Sequence, residues 1–156
     1  MTQKVRAVLF ARITSVCCLV LIAAVSCAPT APVDVSGGWS GTLAYTSGPM
    51  TSFTSSFRLD LFAEDGAVTG SVTLPSGYGN QFQIPVTLGE VHADTIVLEA
   101  EGMNPFTTPD TPVRIAFDGA ATATTMSGVG THVVSGAAYT FTWSATLVTP
   151  PVVDAE

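Results

Sequence analysis

Basic residues are nearly absent from this chain. Five occur among 156 residues, and three of them, Lys4, Arg6 and Arg12, fall near its start, which leaves Arg58 and Arg114 to face all twelve acids. A surface so short of cations repels phosphate backbones, which argues against nucleic acid as a partner. Cysteine is as scarce: Cys17, Cys18 and Cys27 stand near the start and none follows. The body of the chain therefore has no thiol for a disulfide, for thiol catalysis or for a Cys-ligated zinc. Recognisable catalytic strings are missing too, with no Gly-x-Ser-x-Gly elbow, His-Glu-x-x-His pair or phosphate-binding loop. From Gly38 onward no helical period occurs.

What the first thirty residues do contain is a three-part export signal: a basic start, an uncharged stretch from Ile13 to Val25, and a small-residue site. At about 1.5 Å per residue that stretch reaches only about 20 Å, short of a hydrocarbon core of roughly 30 Å, so it is an export signal and not a span. Ala24-Val25-Ser26-Cys27 closes it. This layout resembles a bacterial lipoprotein signal, with residues 1–26 removed and Cys27 acylated. The competing reading is ordinary cleavage after Ala28, with Ser26 and Ala28 as the two small residues before the cut, against which Pro29 directly after it stands. The resemblance implies a membrane anchor of two or more acyl chains, each buried CH2 worth about 0.8 kcal/mol. By the sorting rule of Gram-negative lipoproteins, Ala28 implies the outer membrane, with the domain facing periplasm or cell surface.

Cutting before Cys27 removes 26 of the 156 residues and leaves 130, enough for one domain with its own core and too few for two. Two arginines against twelve acids give that part a net charge of −10. Solubility is the plain reason for such acidity, and recruitment of a cationic partner the sharper one. Residues 27–36, rich in Ala and Pro, read as the lipidated Cys and a flexible tether, and 149–156 as a disordered tail.

Between them, short alternating segments rich in Thr, Val, Phe and Tyr are broken by Gly, Pro, Asp and Asn. Eight strands are predicted, at about 38–46, 53–63, 67–74, 81–88, 95–100, 112–118, 123–130 and 138–148. In the last, Tyr139, Phe141, Trp143, Ala145 and Leu147 share one face and Thr140, Thr142, Ser144 and Thr146 the other, the pattern of a half-buried strand. Phe53, Phe57, Leu59 and Leu61 form the inner face of the second, and Phe82, Ile84, Val86 and Leu88 that of the fourth. Glu64-Asp65-Gly66 and Asp118-Gly119 are hairpin signals, so sequential strands pair antiparallel. A flat meander would leave an apolar face and two edges open. The fold class expected is all-β, an eight-stranded antiparallel up-and-down barrel at 37–148, with a β-sandwich as the alternative. Gly41, Gly70, Gly128 and Gly130, in phase with apolar positions, make room for aromatics across a tight barrel.

Gly37-Gly38-Trp39 at the first strand resembles the Gly-x-Trp start of lipocalins and avidins, the calycin-type small barrels, and Val68-Thr69-Gly70-Ser71-Val72 and Thr125-Met126-Ser127-Gly128 repeat the style of lipocalin-like bacterial lipoproteins. The resemblance implies a small-molecule barrel closed at one end by Trp39. Two tryptophans are too few for an avidin's aromatic box, which argues against biotin. Arg58 and Arg114 fall in phase with outward positions, away from any buried carboxylate ligand.

Catalysis finds no constellation. Glu90, His92 and Asp94 share a turn and could offer metal ligands, but acidic turns are ordinary on exported proteins, and no metal or cofactor is expected. Glu99 and Glu101 share an outward face and read as solvated. His132 reads either as an exposed loop residue or as a ligand contact or pH-sensitive group. Connections of a meander alternate between ends, so loops at 47–52, 75–80, 101–111 and 131–137 should form a mouth opposite both termini. That mouth would bring together Met50, Tyr78, Met103, Phe106 and His132 as a ligand site, while Trp39 and Trp143 are structural. The functions expected are non-catalytic: a lipid-anchored envelope lipoprotein binding a small apolar ligand in the barrel, a structural or protein-interaction lipoprotein with a filled core and an envelope protein as partner, or a protease-inhibitor-like barrel.

Overall fold

The hairpin at Glu64-Asp65-Gly66 forms as read, with positive φ at both Asp65 (51°) and Gly66 (85°), the mirror-image turn whose twist suits the strands it joins. The computed structural model describes residues 30–48, 50–77, 79–107 and 109–149. Its strands are β1 (Gly37–Tyr45), β2 (Thr54–Glu64), β3 (Ala67–Gly77), β4 (Asn80–His92), β5 (Thr95–Asn104), β6 (Thr111–Ala121), β7 (Thr125–Val134) and β8 (Ala137–Thr149). They form a closed barrel in chain order, every neighbouring pair antiparallel. β1 closes on β8, with Leu43 opposite Trp143 and Trp39 opposite Leu147. Closure removes both sheet edges, so no strand is left to template aggregation.

One face of every strand builds the core: Trp39, Leu43 and Tyr45 from β1, Phe57, Leu59 and Leu61 from β2, and so on round to Phe141, Trp143 and Ala145 from β8. The lower end, where β1 begins and β8 ends, is plugged by the segment before β1. Val35 is fully buried there, and its carbonyl accepts the Trp39 indole N–H at 2.8 Å. Val33 N–H donates to the Ala93 carbonyl at 2.8 Å and Ala63 N–H to Ser36 Oγ at 3.0 Å. The stretch expected to be a tether over 27–36 is therefore bonded to the barrel from Val33 on. Cys27, residues 1–26 and the tail from Pro150 lie outside the described residues.

Several local expectations are corrected. A β-bulge between Val86 and Leu88 shifts the register against β5, so Leu88 turns outward, 44% exposed, and Val91 takes the inner face instead. Phe53 lies before β2 in the first loop and is 54% exposed. Asp118-Gly119 is no turn. It lies inside β6, where Gly119 pairs with Gly128 because the two backbones approach too closely for a Cβ on either. β4, β5 and β7 run further than their composition indicated, which reduces the β7–β8 connection to the tight turn Ser135-Gly136. Only the loops after β1 and β5 are long, both at the upper end opposite the termini.

The inward glycines divide in two. Gly41 lies beneath the Phe57 ring and Gly130 beneath the Phe141 ring, as their phase indicated, whereas Gly70 (φ 138°) and Gly128 are pressed against backbone carbonyls of the neighbouring strand. A side chain at Gly130 meets both the Ala116 carbonyl and Phe141. Gly130→Val should therefore cost about 2–3 kcal/mol through overpacking, read in urea unfolding. An unchanged midpoint would mean the core is slack at that level.

Candidate functional site

The inside of the barrel is occupied by rings. Phe57 on β2 and Phe117 on β6, four places apart in the ring of eight strands and so on opposite walls, meet with centroids 5.3 Å apart. Trp143 lies 5.3 Å from Phe117 and 6.3 Å from Phe57, edge-on to both, and Phe141 lies 5.6 Å from Phe117. Such geometry is the favoured packing of aromatic quadrupoles. The Trp143 indole N–H donates to the carbonyls of Val129 (3.0 Å) and Asp118 (3.3 Å), so its polar atom is satisfied without a ligand. Wall meeting wall at mid-height leaves the lumen filled there.

Above that plug the chain places one polar pair. His132 lies on β7, facing inward and half-buried, not in an exposed loop. Its Nδ1 is 2.7 Å from the Tyr45 hydroxyl, and its Nε2 is buried with no partner among the described residues. If Tyr45 donates, only Nε2–H is left unmatched; the reverse arrangement also strands the phenol proton, so hydrogen-bond bookkeeping favours the first. Burial pushes the His132 pKa down to about 4 and, with a smaller contribution from Tyr139, pushes Tyr45 up to about 12. Both are therefore neutral at pH 7.

The first loop covers this pair. Thr46 N–H donates to the Thr140 carbonyl and Thr140 N–H to Ser47 Oγ, both at 2.8 Å. Half-buried Met50 packs on the core, and Phe53 lies 6.4 Å from the Tyr45 ring. Of the proposed mouth residues, Met50 and His132 thus lie on the core side of the upper end. Met103 and Phe106 are about half exposed, Met103 against Pro112 and Arg114 in a cleft on the outer face. Tyr78 lies outside the described residues. Sequence reasoning missed Tyr45, although its phase with Trp39 and Leu43 was the signal that could have found it.

The charged candidates stay outside. Arg58 pairs with Asp60 at 3.0 Å, and Arg114 bridges Glu99 (2.6 Å) and Glu101 (3.0 Å). Glu90 meets His92 at 3.2 Å, and no group of three or more potential ligands among the described residues could hold a metal ion.

Two further clefts lie on the outside of the barrel. One, of about 540 Å3, crosses the outer face of β5 to β8 between Val97, Ala116, Val129 and Thr142. The other, of about 520 Å3, lies at the lower rim between the segment before β1 and the β2–β3 and β4–β5 turns. Set against known proteins, the chain matches no family model, no curated protein and no solved structure.

Proposed function

We propose that this is a non-catalytic lipoprotein of the bacterial cell envelope, anchored by an acylated Cys27 and serving as a binding or scaffolding barrel through its rims and outer face. The observation that carries the reading is the Phe57–Phe117 contact across the barrel, which takes up the space that a ligand in the lumen would need. Native mass spectrometry of gently extracted protein should accordingly find it without a tightly held apolar molecule. A stoichiometric co-purifying ligand would sink the filled-core reading.

The anchor is supported by the layout of the termini. β1 starts and β8 ends at the same rim, and the chain is bonded there from Val33 on. Six residues, from Cys27 to Pro32, can span at most about 20 Å at roughly 3.5 Å per residue, so an outer-membrane anchor would hold the lower rim near the lipid and turn the long loops away. Cys27→Ala should move the protein from the membrane fraction to the aqueous phase of a detergent extract. Wild-type protein already in that phase, or carrying an unmodified N-terminus, would refute the anchor.

A second reading, a small apolar ligand held at the mouth under the first loop, is favoured by one observation: the buried Nε2 of His132, which lacks an acceptor. Such a ligand would carry a carbonyl or ether oxygen, and His132→Phe would abolish its retention.

A further inference from the structure

We propose that the cleft at the lower rim is a docking site for a basic, extended peptide segment whose cations alternate with small apolar side chains. The cleft's walls are tied together for a local reason. Val91 N–H donates to the Gly66 carbonyl at 2.7 Å and Val33 N–H to Ala93, so the two turns and the segment before β1 are bonded into one frame. Pro32, Ala67 and Ala93 give it apolar lining, and Asp65 and Glu90 stand in its wall. Glu64 and Asp94 flank the same two turns.

No arginine or lysine among the described residues answers these carboxylates. Arg58 is bonded to Asp60 in the middle of β2, and Arg114 to Glu99 and Glu101 on the outer face of β5 and β6. The one cationic candidate nearby, His92, has its Nε2 on Glu90. An apolar lining edged by carboxylates suits Lys or Arg, whose methylene stems cover apolar surface while the charged head reaches the rim. The methylenes of a bare polyamine would cover the lining as well, which makes a polyamine the competing occupant that the test decides. An anionic or neutral segment would meet uncompensated like charge or none, and opposite charge across a cleft also steers the encounter.

This inference rests on the reading of a non-catalytic binding barrel and not on the lipid. Failure of the Cys27→Ala fractionation would leave it standing, just as its own failure would leave the anchor untouched.

The test uses the full chain from whichever fraction holds it, kept in zwitterionic detergent, and an acetylated, amidated Lys-Val-Lys-Val-Lys peptide. Amide NMR shifts should move saturably at Asp65, Ala67, His92 and Ala93 and stay still at Asp110 and Asp118. Asp65→Asn with Glu90→Gln should weaken binding at least tenfold, and Ala67→Arg should abolish it without lowering the melting temperature. A Glu-Val-Glu-Val-Glu peptide should not bind. The proposal is overturned by shifts spread equally to Asp110 and Asp118, by unchanged affinity in the double variant, or by spermine displacing the peptide at equal affinity, which would reduce the effect to unspecific attraction.

Discussion

Trp39→Ala is expected to cost about 4 kcal/mol of folding stability, the mid-range for deleting a fully buried tryptophan. Trp39 has no exposed surface and sits where the barrel closes on itself, opposite Leu59 on β2 and Leu147 on β8. Truncation opens a cavity and also removes the indole N–H from the Val35 carbonyl, freeing the residue that plugs the lower end. A domain of this size has roughly 5–15 kcal/mol in all, so the variant would stand near the edge of folding. Trp39→Phe keeps most of the volume and loses one hydrogen bond, so about 1–2 kcal/mol is expected. Urea unfolding followed by far-UV circular dichroism measures both. Equal, small effects in the two variants would show that the lower plug does not hold the barrel shut.

The second large effect is acid destabilisation through His132. Its pKa in the folded state is about 4, below the roughly 6.5 of an unfolded chain, because burial disfavours the imidazolium. Above pH 6.5 neither state holds the proton and the full stability is present. As pH falls from 6.5 toward 4, the unfolded state takes up a proton that the folded state refuses, and stability drops; below 4 both are protonated and the loss is complete. The ideal value for that shift is about 3 kcal/mol, and residual solvent access at the half-buried ring reduces it to roughly 2. Among the described residues no carboxylate opposes this: the ring meets Tyr45 from β1, and in register with His132 stand Ile115 on β6 and Tyr139 on β8. His132→Phe should flatten the curve of unfolding free energy between pH 7 and 4 relative to wild type. The carboxylates titrate alike in both proteins, so the difference between the curves isolates the histidine. Parallel curves would mean that the ring is hydrated in the folded state.

How much of this could be read in advance varied along the chain. β8 was legible residue by residue, because Tyr139 to Leu147 alternate without interruption and a two-residue period has only one reading. β4 was legible only to Val86. Its bulge adds a residue that composition does not mark, and a shift of one reverses every face beyond it, which is why Leu88 was misplaced. Gly119 shows the converse error: Asp-Gly is the commonest hairpin signal, yet here glycine answers a close approach of β6 to β7 that exists only once both strands are in place. His132 was misread because the seventh strand was ended at 130, which left 131–137 as a loop, while its phase with Met126, Gly128 and Gly130 already pointed inward.

The sequence by itself determined the architecture. Eight alternating segments joined by short turns, too many apolar faces for an open sheet and no helix to cover them, leave a closed antiparallel barrel as the economical solution. It also set the charge, since the two arginines after Arg12 and the twelve acids need no fold to be counted. Only the tertiary structure decided what the inward residues do to one another. Alternation says which side chains face in, but whether Phe57 reaches Phe117 across the lumen depends on the barrel's radius and stagger, which are properties of the closed sheet as a whole. The same holds for the pairing of His132 with Tyr45, 87 positions apart, and for the lower cleft, whose walls come from separate hairpins and a docked segment that no local pattern connects.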